Sequence, residues 1–171
     1  GVAASTSEST SDVFSTLSML LEPLADPRVA RMIDVPIEES IDLRSFVLGG
    51  ANTLYLATVG DDDDRVAPIV AALTAEVYRI LHRHSQHQRG TSKRLPVPAR
   101  LVLDEVNTVA PIPGLPAKMN DSGGRGISIW AFAHNQLQNI DRWGPIAGKK
   151  FTTENPNRIL LPGMGDSDEL E

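Results

Sequence analysis

Apolar residues recur along this chain at two spacings, and the change from one to the other divides it. Val13, Phe14, Leu17, Leu20, Leu21 and Leu24 stand at helical intervals behind the hydroxyls of Ser9, Thr10 and Ser11, which predicts an amphipathic helix kinked or ended at Pro23. Asp26-Pro27 is a second start signal, with Asp as cap and Pro in the first turn, for a short helix through Met32. Residues 34–40 read as a loop, and residues 42–47 as one further helical turn stopped by Gly49-Gly50. Beyond Gly50 the texture becomes β-prone. Residues 53–59 predict a strand, the acidic run 61–64 a solvated turn, and Val66, Ile69, Val70, Leu73, Val77, Ile80 and Leu81 the stripe of a long helix, with Pro68 in its first turn. A linker over 89–98 leads into Leu101, Val102 and Leu103, a run short and apolar enough for a strand buried on both faces. The order strand, long helix, strand predicts a right-handed βαβ unit with parallel strands. A short helix around 115–119, a strand over 126–133 and a third apolar run over 158–161 repeat the pattern.

Where the run at 101–103 ends, two carboxylates follow, Asp104 and Glu105. Ligands of parallel sheets sit beyond the carboxyl ends of the strands. A carboxylate there holds Mg²⁺ through water while its neighbour orients or deprotonates an attacking water, the Walker B arrangement of nucleotide hydrolases; the alternative is a strand end entering a solvated loop. His134, Asn135, Gln136 and Gln138 close the strand over 126–133 and fall on the same rim if the strands are parallel. Four aspartates at 61–64 suggest a calcium loop only superficially, because nothing follows at the spacing of an EF-hand. His82, His84 and His87 lie among Arg, Gln and Ser with no carboxylate near in sequence, which fits a solvated helix end better than a metal site.

Composition narrows the classes. In 171 residues, 41% are hydrophobic, so one domain with a core, or one domain with an appended segment, is expected. A net charge of -6 argues against a free-standing nucleic-acid binder. With no cysteine, disulfide scaffolds, cysteine-ligated zinc and thiol nucleophiles are excluded. No run is long and apolar enough to cross a bilayer. The chain starts with Gly1 and a Ser/Thr-rich stretch, as a piece of something longer would.

Arg100-Leu-Val-Leu-Asp-Glu-Val-Asn, then Ile112-Pro-Gly-Leu-Pro, Gly124-Arg-Gly-Ile-Ser-Ile, Gln136-Leu-Gln-Asn-Ile and Trp143-Gly occur in an order that resembles the C-terminal half of the motor domain of TraG/TraD-type coupling proteins, the ATPases of conjugative type IV secretion. The resemblance implies an α/β fold: residues 49–171 as the C-terminal half of a RecA-like P-loop NTPase domain with a mostly parallel sheet, and residues 1–48 as a helical segment ending an inserted all-α domain. It further implies a homo-hexamer at the cytoplasmic face of the bacterial inner membrane that uses ATP and Mg²⁺ to drive DNA, with its relaxase, into the secretion channel. Asp104 is then the Mg²⁺-associated carboxylate, Glu105 the water activator, and Arg125 an arginine reaching a neighbouring subunit's nucleotide or else a turn arginine contacting solvent or an acidic neighbour. His134 stands where the family usually has a sensor glutamine, and is either a sensor that hydrogen-bonds a phosphate or a water or else a satisfied core histidine; Gln138 matches the second glutamine. Lys118, Lys149, Lys150 and Arg158 are the basic candidates for DNA contact. One part is absent: no Gly-x-x-x-x-Gly-Lys-Ser/Thr occurs, since Gly144-Pro-Ile-Ala-Gly148-Lys149-Lys150 is one residue short and lacks the hydroxyl. The P-loop is expected upstream of Gly1, and the chain alone is expected neither to bind nor to hydrolyse ATP. The alternative is a RecA-like interaction module that binds relaxosome or accessory proteins without catalysis. A metal-dependent hydrolase built on Asp104, Glu105 and His134 stands behind both.

Overall fold

The computed structural model describes residues 21–58, 63–89, 93–155 and 157–161. The expected helix over 13–24 lies mostly outside them, as do the break at Pro162-Gly163 and part of the acidic run. The described part is α/β: a parallel pair of strands with helices against one face.

A 3-10 turn, Glu22–Ala25, precedes α1 (Pro27–Ile33), whose cap is Asp26, accepting from the Arg28 amide at 2.8 Å. The Arg28 guanidinium also grips that carboxylate and lowers its pKa to about 2. Helix α2 (Leu43–Leu48) is capped the same way, Asp42 accepting from Ser45 N–H at 3.0 Å, and it stops at Gly49 as expected. Both the 3-10 turn and α2 pack on the long helix α3 (Asp63–Gln86). Only part of its predicted stripe is buried. The buried line is Ala67, Ala71, Thr74, Tyr78, Leu81 and Ser85, alternating steps of four and three, while Val66, Ile69, Val70, Leu73 and Val77 are half-buried flanks. Small residues bring the helix axis close to what it covers. Pro68 falls in the second turn of α3, not the first.

Strands β1 (Ala99–Leu103) and β2 (Ile127–Ala131) pair in parallel, Leu101 opposite Ile129 and Leu103 opposite Ala131. The helix between them is α4 (Leu115–Ser122), so the second of the two expected strand-helix-strand units forms; the first, which needed a strand over 53–59 ahead of α3, does not. Three expectations are corrected. Residues 53–58 form no strand, and Tyr55 is 87% exposed. Residues 158–161 form no strand either and are exposed. Strand β1 is buried on one face, not two: Leu101 and Leu103 join the core with Tyr78, Leu81, Ile112, Leu115 and Ile127, while Val102 and its partner Trp130 are 61% and 49% exposed. Apolar patterning cannot distinguish a covered face from an uncovered one, and no described element lies over Val102 and Trp130.

Helix α5 (Gln136–Thr153) is a folded-back pair of arms, broken at Gly144 (φ 82°), with Pro145 starting the second arm. In a straight helix residues 139 and 148 would lie about 13 Å apart. Here a Cβ on Gly148 would lie 2.4 Å from the Asn139 carbonyl oxygen. Trp143 and Phe151 stack across the elbow at 5.2 Å, and Trp143 Nε1 donates to the Ile112 carbonyl at 3.1 Å. Gly144 to Gly148, the nearest approach to a P-loop, is this elbow.

Candidate site at the carboxyl edge of the strands

At the end of β1 the chain turns sharply. The Phe132 amide donates to Leu103 O at 2.9 Å and the Val106 amide to Phe132 O at 3.1 Å, so the strand pairing resumes across two residues, Asp104 and Glu105, that are pushed out of line. Glu105 adopts φ 47°, a left-handed conformation that costs an L-residue roughly 1–2 kcal/mol. Val106 is consequently driven fully into the core while both carboxylates stay at the surface. Asp104 Oδ1 accepts from the Glu105 amide at 3.1 Å. The Glu105 carbonyl takes the amides of Thr108 and Val109 at 3.0 and 2.9 Å, closing the turn.

Parallel pairing brings the ends of both strands to one edge, so His134 meets Glu105 there: Nε2 lies 2.7 Å from Glu105 Oε1. The next residue, Asn135, caps α5 by accepting from the Gln138 amide at 2.9 Å. The Gln138 side chain is half-buried, and its Oε1 has no hydrogen-bond partner among the described residues. Behind the carboxylates, Asn107 Nδ2 donates to Asn139 Oδ1 at 2.9 Å, and both residues are buried. This pair ties the carboxylate turn to the first arm of α5. Of the residues singled out from sequence, Asp104, Glu105, His134 and Gln138 therefore share one edge. Sequence reasoning missed Asn107 and Asn139, whose amides look unremarkable until the fold places one against the other.

Arg125 lies elsewhere. It ends the 3-10 turn Gly123–Arg125 at the amino end of β2, across a five-residue strand from the carboxylates, about 16 Å at 3.3 Å per residue. Its Nε donates to Asp121 Oδ2 at 2.5 Å, and His82 Nε2 lies 3.1 Å from the same oxygen. The hydrogen bond from Arg125, and secondarily that from His82, holds the Asp121 carboxyl below its ordinary pKa. The histidine without a carboxylate near in sequence thus has one in space, 39 residues away. His84 and His87 make local contacts with Gln88 and with the Arg83 carbonyl. Among the described residues no group of three or more His, Asp or Glu side chains is disposed to hold a metal ion.

Two of the four basic candidates make contacts that hold them in the fold. Lys118 donates to the Pro113 carbonyl and stands 5.9 Å over the Tyr78 ring, and Lys150 pairs with Glu154 at 3.1 Å. Lys149 and Arg158 are exposed. Among the described residues no helix is long and apolar enough to cross a membrane.

Residues 98–171 match the family described as the TraM recognition site of TraD and TraG. Over those residues the chain is similar to the C-terminal region of TraG and TraD. The match starts just ahead of β1 and spans the carboxylate turn, Arg125, His134 and the elbow of α5, so the whole candidate site belongs to it. The setting of a TraG/TraD C-terminal region is that of a conjugative coupling protein. No curated protein and no solved structure matches the chain.

Proposed function

We propose that this chain supplies the Walker B half of the ATP-hydrolysing, RecA-like motor of a conjugative coupling protein. The observation that carries the reading is the left-handed backbone at Glu105, which places a carboxylate beside Asp104 at the carboxyl edge of parallel strands and against His134. Strain of that kind in a non-glycine residue concentrates at sites of function. The donor set fits hydrated Mg²⁺: Asp104 is exposed, one oxygen is used by the turn, and the other has no partner among the described residues. Bound ATP and Mg²⁺ supply the phosphoanhydride bond and the charge that draws electrons from it.

Asp104 would hold the hydrated Mg²⁺, and Glu105, its carboxylate oriented by His134, would accept the proton of the attacking water. His134 would then serve in place of the family's sensor glutamine, and Gln138 Oε1, without a partner among the described residues, would accept a hydrogen bond. The P-loop comes from the remainder of the parent protein, a membrane-anchored homo-hexamer in this reading. There hydrolysis drives DNA and its relaxase toward the secretion channel. The test is Asp104→Asn in the complete coupling protein. Hydrolysis falls at least 100-fold, and much of the loss returns when Mg²⁺ is raised well above saturation for the wild type. Unchanged hydrolysis at limiting Mg²⁺ would sink the assignment.

The family description favours a second, compatible reading, in which this region is a docking module for a TraM-type accessory protein. Titrating such a protein into the 171-residue chain without nucleotide tests it. Saturable binding supports the module, and its absence with both partners folded removes it.

A further inference from the structure

We propose that Asp121 is the positioning residue for Arg125, holding its guanidinium by the inner nitrogen so that the outer two face an anionic group on another molecule. The proposal rests on the motor reading, in which that group is a phosphate of the nucleotide bound by a neighbouring subunit.

The geometry at the amino edge of the strands is specific. Arg125 makes its one hydrogen bond through Nε, to Asp121 Oδ2, and neither Nη1 nor Nη2 meets an acceptor among the described residues. A guanidinium can present five N–H groups in a planar fork, and two-point capture of a phosphate needs the outer ones. Spending Nε on an internal carboxylate fixes the plane of the fork and leaves its tips available. An arginine that only stabilised the turn would be expected to spend the outer nitrogens as well. Arg94 does so nearby, donating from Nη1 to the Gly123 carbonyl at 3.0 Å.

Asp121 is itself held. Its Oδ2 also meets His82 Nε2 from α3, and the His82 ring stacks on Tyr78 with centroids 5.7 Å apart. Ser122, next to Asp121, is buried, and its hydroxyl lies 3.4 Å from the Tyr78 hydroxyl. The carboxylate is therefore braced by the longest helix of the fold, and Arg125 inherits that rigidity over a spacing of four residues. The Arg125 side chain keeps 23% of its surface exposed, so the fork is reachable. The candidate catalytic carboxylates stand at the opposite edge, so Arg125 cannot serve the nucleotide they would act on. It can serve one carried by an adjacent copy.

The experiment uses the complete coupling protein and measures ATP hydrolysis, with Arg125→Ala as the reference. Arg125→Ala is expected to lose at least 10³ in kcat, the scale of an arginine finger. Asp121→Ala is expected to lose 10- to 100-fold in kcat with KM for ATP within threefold, the cost of a misaimed group. Asp121→Asn keeps an acceptor for Nε and recovers most of the rate. Asp121→Ala on top of Arg125→Ala costs nothing further, because the carboxylate acts through the arginine. Near-normal hydrolysis by Arg125→Ala would refute the finger reading itself. A dead Arg125→Ala beside an Asp121→Ala within threefold of wild type, or an added loss in the double variant, would refute the positioning role alone. If Asp121→Ala fails to fold, His82→Leu decides: lowered kcat at unchanged melting temperature supports the brace, and unchanged kcat overturns it.

Discussion

Replacing Gly148 by alanine sets two effects against each other, and the structure says which wins. Alanine is favoured over glycine in a helix by about 0.8–1.0 kcal/mol. At this position its Cβ would lie 2.4 Å from Asn139 O, 2.5 Å from Ile140 Cα and 2.6 Å from Asn139 C, all backbone atoms of the other arm of α5. Carbon contacts settle near 3.5–4.0 Å, so the arms must part by about 1 Å. Overpacking of this degree costs about 1–3 kcal/mol. Parting the arms also loosens the Trp143–Phe151 stack, worth a further 0.5–1.5 kcal/mol or so. Steric cost therefore exceeds propensity, and the net loss is about 1–3 kcal/mol. For a chain of this length that lowers the melting temperature by about 2–4 °C per kcal/mol. The assay is thermal unfolding followed by circular dichroism, with Gly123→Ala as control, since a Cβ there meets nothing within 4 Å and the backbone is right-handed helical. The control should melt at or above the wild type. Gly148→Ala melting within 1 °C of wild type, or higher, would refute the folded-back arrangement of α5. Because the first arm carries Asn139, the same substitution should also loosen the carboxylate turn through Asn107.

Two further outcomes follow from the turn. Glu105→Gly relieves a left-handed residue at a cost of only one exposed pair with His134, so stability should be unchanged or higher by up to about 1 kcal/mol while hydrolysis by the parent is lost; denaturant titration and the ATPase rate read the two separately. Asn139→Ala leaves the Asn107 amide buried without its acceptor and should cost about 1–3 kcal/mol by urea unfolding, whereas replacing both asparagines by apolar residues should restore much of it.

What the sequence disclosed was local. The cap at Asp26, the stop at Gly49, the long helix and the strand-helix-strand order from β1 to β2 all come from neighbouring residues, and each is in the structure. Helix α5 escaped notice although Asn135 and Gln138 stand at the N-cap and N3 spacing of a capping box, because Gly144-Pro145 looks like a loop when the chain is read as a line. The edge shared by Asp104, Glu105 and His134 was legible from parallel topology alone. Its strain was not, since φ at Glu105 depends on where Val106 must go. The His82–Asp121 contact was equally hidden, being fixed by how α3 lies against α4; only the Asp121–Arg125 half was open to inference, from the spacing of four. The strand expected over 53–59 fails because β propensity does not provide a partner, and residues 53–58 have none among the described residues.

The central claim, that Glu105 activates the water which attacks ATP, is tested most directly by Glu105→Gln in the complete coupling protein, with nucleotide binding and hydrolysis measured on the same preparation. The substitution keeps the size of the side chain and a hydrogen-bonding oxygen for His134 while removing the base. The account predicts ATP binding within a few-fold of wild type and hydrolysis reduced by 10² or more, in line with the loss of a general base. A variant that binds ATP and hydrolyses it at the wild-type rate would contradict it.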